Sequence, residues 1–129
     1  MPPRPGIPTI EQRTFAFAAA LVRTYRANPP RDEADRILWR QLLKSGTSAG
    51  ANSAESPGSQ SRRDWMTRRH IALKEMRESQ FWLRLIEDAA PANHPARLGQ
   101  LVDESGQLVA ILTAVLNTAR ANDKRSRPG

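Results

Sequence analysis

Ser45-Gly46-Thr47-Ser48-Ala49-Gly50-Ala51-Asn52-Ser53-Ala54 runs for ten residues without one bulky apolar side chain. Such a composition suits a flexible linker, which would cut the chain in two. Yet the helical spacing of Leu38, Leu42, Ser45, Ala49 and Asn52 runs straight through it and favours a helix with one small-residue face. A face of that kind lets a neighbouring helix approach closely and fill the gap with large side chains. Trp65, Met76 and Trp82 of the next segment are the side chains expected there.

Working outward, punctuation marks four helical segments. The quoted helix opens near Asp32, with Glu33 and Asp35 favoured in its first turn by the helix dipole, and stops at Ser56-Pro57-Gly58. The segment before it runs from an N-cap at Thr9 to about Ala27, where Asn28-Pro29-Pro30 ends it. Its stripe is Ile10, Phe17, Leu21 and Tyr25, widened by Phe15, Ala18 and Val22. The third segment is capped by Ser59 or Ser61, carries Asp64 in its first turn and reaches about Ala89, before Pro91 and Pro95. The fourth runs from about Ala96 to Ala121 through Leu98, Leu101, Val102, Leu108, Val109, Leu112, Val115 and Leu116. Gly99 and Gly106 inside it each cost about 1 kcal/mol against alanine, which leaves a break near Gly106 open. Nothing alternates with period two. The expected fold is all-α, an antiparallel up-and-down four-helix bundle over residues 9–121. A flexible Pro-rich arm over 1–8, with Arg4, and a flexible basic tail over 122–129, with Lys124, Arg125 and Arg127, would flank it.

Most chemistry is excluded by what the chain lacks. Its 129 residues suit one domain. Without cysteine there is no disulfide, thiolate metal site or cysteine nucleophile, and a cytoplasmic location is the expectation. No run of about 20 apolar residues predicts a membrane span, and the first ten residues lack a signal-peptide core. A di-iron bundle needs Glu-x-x-His pairs. Here Thr67 and Pro91 stand three residues before His70 and His94, the two histidines, so neither metal nor cofactor is expected. No nucleophile elbow or phosphate loop is present either. Glu75 and Glu78 are the best acid–base candidates, but they suit better as partners for Arg, Ser or Asn groups on a facing helix. In that role their replacement by Gln would lower stability, and the chain is expected not to be an enzyme.

The bases do have a pattern. Lys plus Arg number 20 against 13 acids, a net +7, and only Lys44, Lys74 and Lys124 are lysines. Arginine's forked guanidinium suits phosphate. In the third segment Arg63, His70, Arg77 and Arg84 recur every seven residues with Lys74 beside them. In the second, Arg36, Arg40 and Lys44 form a stripe spaced by four. Both fit a protein that holds RNA or DNA by its backbone. The alternative is the solvated surface of a protein–protein scaffold. With one Tyr, three Phe and three Trp expected mostly in the core, no base-stacking platform is evident. Ile71, Phe81 and Leu85 lie off the core stripe of Trp65, Ala72, Met76, Leu83 and Ile86, which points to self-association.

The run from Gln41 to Glu55, then Ser61-Arg62-Arg63-Asp64-Trp65, then Ile71 to Leu83, resembles the "four helix bundle protein" family of bacterial rRNA intervening sequences. That family was once labelled a ribosomal protein and includes the accessory protein of diversity-generating retroelements. The resemblance spans about Phe15 to Leu116, and its specific part is Ser-x-x-Ser-x-x-x-Asn-x-x-Glu, then Asp-aromatic, then a mid-helix Glu. By position, Ser45, Ser48 and Asn52 match the family's small polar face and Glu55 its helix-end acid. Trp65 matches its aromatic and Glu78 its internal glutamate. Ser56-Pro57-Gly58 departs from the glycine common after the acid, and Ser53 stands where a bulky residue often follows the Asn. The resemblance implies a bundle that assembles as a homopentameric ring. By analogy with the retroelement members, it also implies nucleic acid and a reverse transcriptase as partners.

Overall fold

Thr9, Asp32 and Ser61 each stand on extended backbone and start a helix by accepting a hydrogen bond from an N–H three residues on. Thr9 makes a full capping box, since Gln12 Oε1 accepts from the Thr9 N–H in return. The structure, a computed structural model, describes residues 5–91 and 98–126. Its helices are α1 (Ile10–Ala27), α2 (Glu33–Glu55), α3 (Arg62–Ala89) and α4 (Gly99–Ser126), with one 3-10 turn at Ser56–Gly58. Arg4 of the expected arm, His94 and Arg127 of the expected tail lie outside the described residues. No helix among the described residues is long and apolar enough to cross a membrane.

The helices pack as an antiparallel ring of neighbours, α1 on α2, α2 on α3, α3 on α4 and α4 back on α1, with α2–α3 the most extensive seam. The core comes from all four. Phe17 and Leu21, Trp39 and Leu42, Met76, Leu83 and Ile86, and Leu108, Leu112 and Leu116 are essentially dry. The four-helix reading is therefore right, and no strand occurs among the described residues.

The small face of α2 is helical, as expected, but α3 meets only part of it, at Ser45, and α1 covers Gly46 and Gly50. A side chain at Gly46 would place Cβ 2.3 Å from Leu21 Cδ1, and one at Gly50 would sit 3.3 Å from the Thr14 carbonyl oxygen. Helix α1 fills the gap, with its backbone at one point and Leu21 at another. Trp65 and Trp82 are only half-buried, whereas Met76 is in the core. Toward α3 the same helix offers Ser45, whose hydroxyl meets Ser79 Oγ at 2.8 Å. One hydroxyl donates to the other, and the second donates to a carbonyl of its own helix, Leu42 O or Glu75 O. Both are satisfied without water.

Three other expectations change. The buried face of α2 is wider than the expected stripe: Leu42, Ser45 and Ala49 are buried as read, but Trp39 joins them while Leu38 is half-buried, with Tyr25 edge-on to the Trp39 ring at 5.9 Å. Phe15, expected to widen the α1 stripe, is 71 % exposed. Helix α4 passes Gly106 unbroken and continues to Ser126, five residues beyond its expected end. Arg62 explains the extension: its guanidinium binds Asp123 at 3.2 Å and reaches the Ala119 carbonyl, tying the last turns of α4 to the start of α3.

These contacts give Gly46 and Gly106 opposite roles. Replacing Gly46 by Ala gains up to about 1 kcal/mol of helix propensity but forces the fully buried Leu21 to move, at about 1–3 kcal/mol. At Gly106 the nearest atom to a new Cβ is the amide nitrogen of Gln80, 3.3 Å away on a long side chain that can yield. Urea unfolding should show Gly46→Ala destabilised by about 1–2 kcal/mol and Gly106→Ala stabilised by about 0.5–1 kcal/mol.

Candidate nucleic-acid interface

The arginines fall into two sets. One set is locked along the helix seams. Arg13 of α1 bonds Glu104 and Gln107 of α4, Arg68 of α3 pairs with Glu55 of α2, and Arg62 pairs with Asp123. The extreme case is Arg69, only 5 % exposed, which crosses from α3 to Glu11 at the start of α1. Helices α1 and α3 are diagonal in the bundle, and a long guanidinium side chain is what spans them.

Trp65 organises this end. The guanidinium carbons of Arg62 and Arg69 lie 5.1 and 5.5 Å from its ring centroid, within cation–π range. Nε and Nη1 of Arg69 have no hydrogen-bond partner, so the Trp65 ring and Glu11 carry the compensation for burying that charge. Removing one member of such a pair costs about 3–5 kcal/mol when both are fully buried. Glu11 is about a quarter exposed, so the lower end of that range applies.

The other set is the predicted one. Arg63, Lys74, Arg77 and Arg84 on α3, with Arg40 and Lys44 on α2, are exposed, and none has an ion-pair partner among the described residues. From Arg63 to Arg84 the α3 series extends about 32 Å along one side of the helix. Arg36 differs, because Glu33 binds it at 3.2 Å, an exposed pair of little strength. His70 is exposed in the same series and lies 3.0 Å from Arg120 of α4, whose guanidinium donates to Nε2. The Ser45–Ser79 contact sets the register of the antiparallel α2–α3 seam and brings Arg40 to about the level of Arg84. Lys44 and Lys74 approach each other across that seam, since both act on Glu75, whereas His70, Arg77 and Arg84 lie on the side of α3 toward α4.

The residues matched to the family motif divide differently. Ser45 is the buried link to α3, Glu55 holds Arg68, and Trp65 carries the two guanidiniums. Asn52 stays on its own helix, donating to Ser48 O at 3.0 Å and lying 3.4 Å from Ser48 Oγ. Glu78 is exposed, which corrects its expected internal place. Among the described residues, neither Glu75 nor Glu78 binds an Arg, Ser or Asn side chain of a facing helix. Both sit on the flank of α3, where burial pushes the half-buried Glu75 carboxyl above its ordinary value. The charge of Glu78, and the hydrogen bond that a protonated Glu75 donates to it, act the same way, while Lys74 and Lys44 pull down. Among the described residues, no three potential metal-ligating side chains cluster.

Sequence reasoning missed Arg62, Arg68, Arg69 and Arg13. A signal for one existed: Arg69 stands three residues before Ala72 and seven before Met76, in line with the buried stripe.

The Glu75 environment reverses the expected effect of removing its charge. A carboxyl whose folded pKa is raised supports the fold fully while protonated and loses that support as pH rises through the folded value. Replacing Glu75 with Gln should therefore raise Tm at pH 7, by about 1–3 °C, since the site is partly solvated. The difference should vanish below the ordinary carboxyl value of 4.5. Thermal unfolding of both proteins across pH 3–8 checks this.

Comparison with known proteins places the bundle. A solved structure of a protein of unknown function from the S23 ribosomal protein family, from Bacteroides thetaiotaomicron, is similar at 28 % identity and a TM-score of 0.70. The match covers 84 % of this chain and 98 % of that one. None of the curated proteins matches. The family model for the 23S rRNA-intervening sequence protein matches residues 9–114, and the chain belongs to that family.

Proposed function

We propose that this protein is a non-enzymatic, cytoplasmic accessory factor that assembles as a homo-oligomeric ring and holds nucleic acid by its phosphate backbone. The observation that carries this reading is the unpaired set of cations. Arg63, Lys74, Arg77 and Arg84 stay exposed without carboxylate partners, although the same helix carries three arginines locked in ion pairs. A solvated surface that existed for solubility alone would not need its free guanidiniums in one helical row. Neutralising a row of phosphates does, because each contact releases condensed counterions. Nothing in this face reads base edges in a groove, so binding is indifferent to sequence.

Self-association is supported by a second feature, the exposed Phe15, Ile37 and Ile71 on three different helices. Apolar side chains of that size on a small domain mark contacts, and repeating +7 per chain around a ring concentrates positive charge. The number five is what the family resemblance implies.

Labelled RNA and DNA, single- and double-stranded, titrated at two salt concentrations, test the reading. Wild-type protein should bind all of them, more weakly as salt rises. The triple substitution Arg63→Gln, Arg77→Gln and Arg84→Gln should weaken binding to every sequence alike and lower the salt slope by about 2–3. No binding at low salt overturns the nucleic-acid role in favour of a protein scaffold. A monomer mass in light scattering overturns the ring.

A further inference from the structure

Between α3 and the start of α4 lies an open groove of about 820 Å³ whose borders include Arg77, Phe81, Arg84, Glu87, Asp88 and Val102. Phe81 is 56 % exposed, an unusual state for a large apolar ring. It is not loose: it packs edge-to-face on Trp82, with centroids 4.9 Å apart and planes at 73°. Four residues before it stands Arg77 and three after it Arg84, the spacings that make side chains neighbours on a helix surface. Neither arginine forms an ion pair among the described residues, although Glu87 and Asp88 border the same groove.

We infer that this groove is a binding site for a single-stranded nucleic-acid segment, with one base stacked on Phe81 and its flanking phosphates on Arg77 and Arg84. The inference rests on the backbone-binding reading above and deepens it by naming the strand state and the stacking residue. An exposed aromatic ring between two free guanidiniums matches the two surfaces of a nucleotide, a flat apolar base and an anionic phosphate. A base inside a duplex has no free face, and unstacking it costs a few kcal/mol, so duplexes are excluded from the ring though not from the arginines. Glu87 and Asp88 repel phosphate and accept hydrogen bonds from sugar hydroxyls or base amino groups. They therefore orient the strand with its phosphates toward Arg77 and Arg84. Val102 supplies the apolar wall of α4 opposite the helix that bears the ring.

The test compares wild type with Phe81→Ala and Phe81→Leu, using fluorescently labelled oligonucleotides, single-stranded and duplex, in anisotropy titrations at fixed salt. Phe81→Ala should weaken single-strand binding about 5- to 150-fold, the equivalent of one lost stack, and leave duplex binding unchanged. Phe81→Leu should behave like Phe81→Ala, because it keeps apolar bulk and lacks the flat π-face. Circular dichroism and light scattering of both variants should match wild type, since the ring is on the surface. Several results overturn the inference: equal loss for single strand and duplex, no loss for either, full retention by Phe81→Leu, or a reduced oligomer mass for Phe81→Ala. Duplex binding that depends on Arg63, Arg77 and Arg84 while Phe81 is silent removes the stacking site and leaves the backbone reading intact. Absence of all binding removes both.

Discussion

Gly46 and Gly50 leave α2 without side chains where α1 crosses it, and the rest of the structure depends on the close approach that this allows. The Thr14 carbonyl comes within 3.3 Å of where a Cβ on Gly50 would stand, and Leu21 occupies the space of a Cβ on Gly46. With α1 seated, Phe17 and Leu21 enter the core beside Leu42 and Met76. On its other flank α2 is joined to α3 through the Ser45 and Ser79 hydroxyls. A polar contact between two dry helices has one good register, because a shifted Ser would be buried without a partner. Close packing on one side and hydroxyl pairing on the other thus fix α2 against both neighbours.

That arrangement then sorts the charges. At the end of the bundle where α1 and α3 begin and α2 and α4 finish, Arg62, Arg68 and Arg69 reach Asp123, Glu55 and Glu11, and Arg62 and Arg69 also lie over Trp65. These ion pairs consume carboxylates on the seams. What remains on the outer side of α3 is a row of cations without ion-pair partners among the described residues, next to an exposed Phe81. The net +7 is therefore unevenly spread. A field made by fixed, solvent-facing guanidiniums attracts polyanions, whereas the paired ones contribute mainly to the fold.

Much of this was legible in the sequence for local reasons. Thr9 and Asp32 announced their helices because capping is a short-range interaction, and Ser61 was one of two serines placed to cap α3. The free cations on α3 were legible because helical periodicity groups them on one side. Tertiary facts were not. Trp39 was missed because the buried face of α2 is wider than the stripe through Leu38, Leu42, Ser45 and Ala49 and takes in the next residue round the helix. The polar end of α4 reads as a tail until Arg62 is seen to hold Asp123 and the Ala119 carbonyl. Arg69 counted only as one more positive charge, since composition does not say which base is buried. Phe81 was taken as apolar surface because its setting in the groove depends on where α4 lies.

Folding divides the arginines into locked and free sets, and on the proposed reading only the free set meets nucleic acid. Arginine Nε–Hε resonances, followed by NMR while a single-stranded oligonucleotide is added, report on each guanidinium separately. Signals of Arg63, Arg77 and Arg84 should shift and saturate together, while those of Arg13, Arg62, Arg68 and Arg69 stay in place. Movement of the locked set, or stillness of the free set at a concentration where binding is complete, would contradict the account.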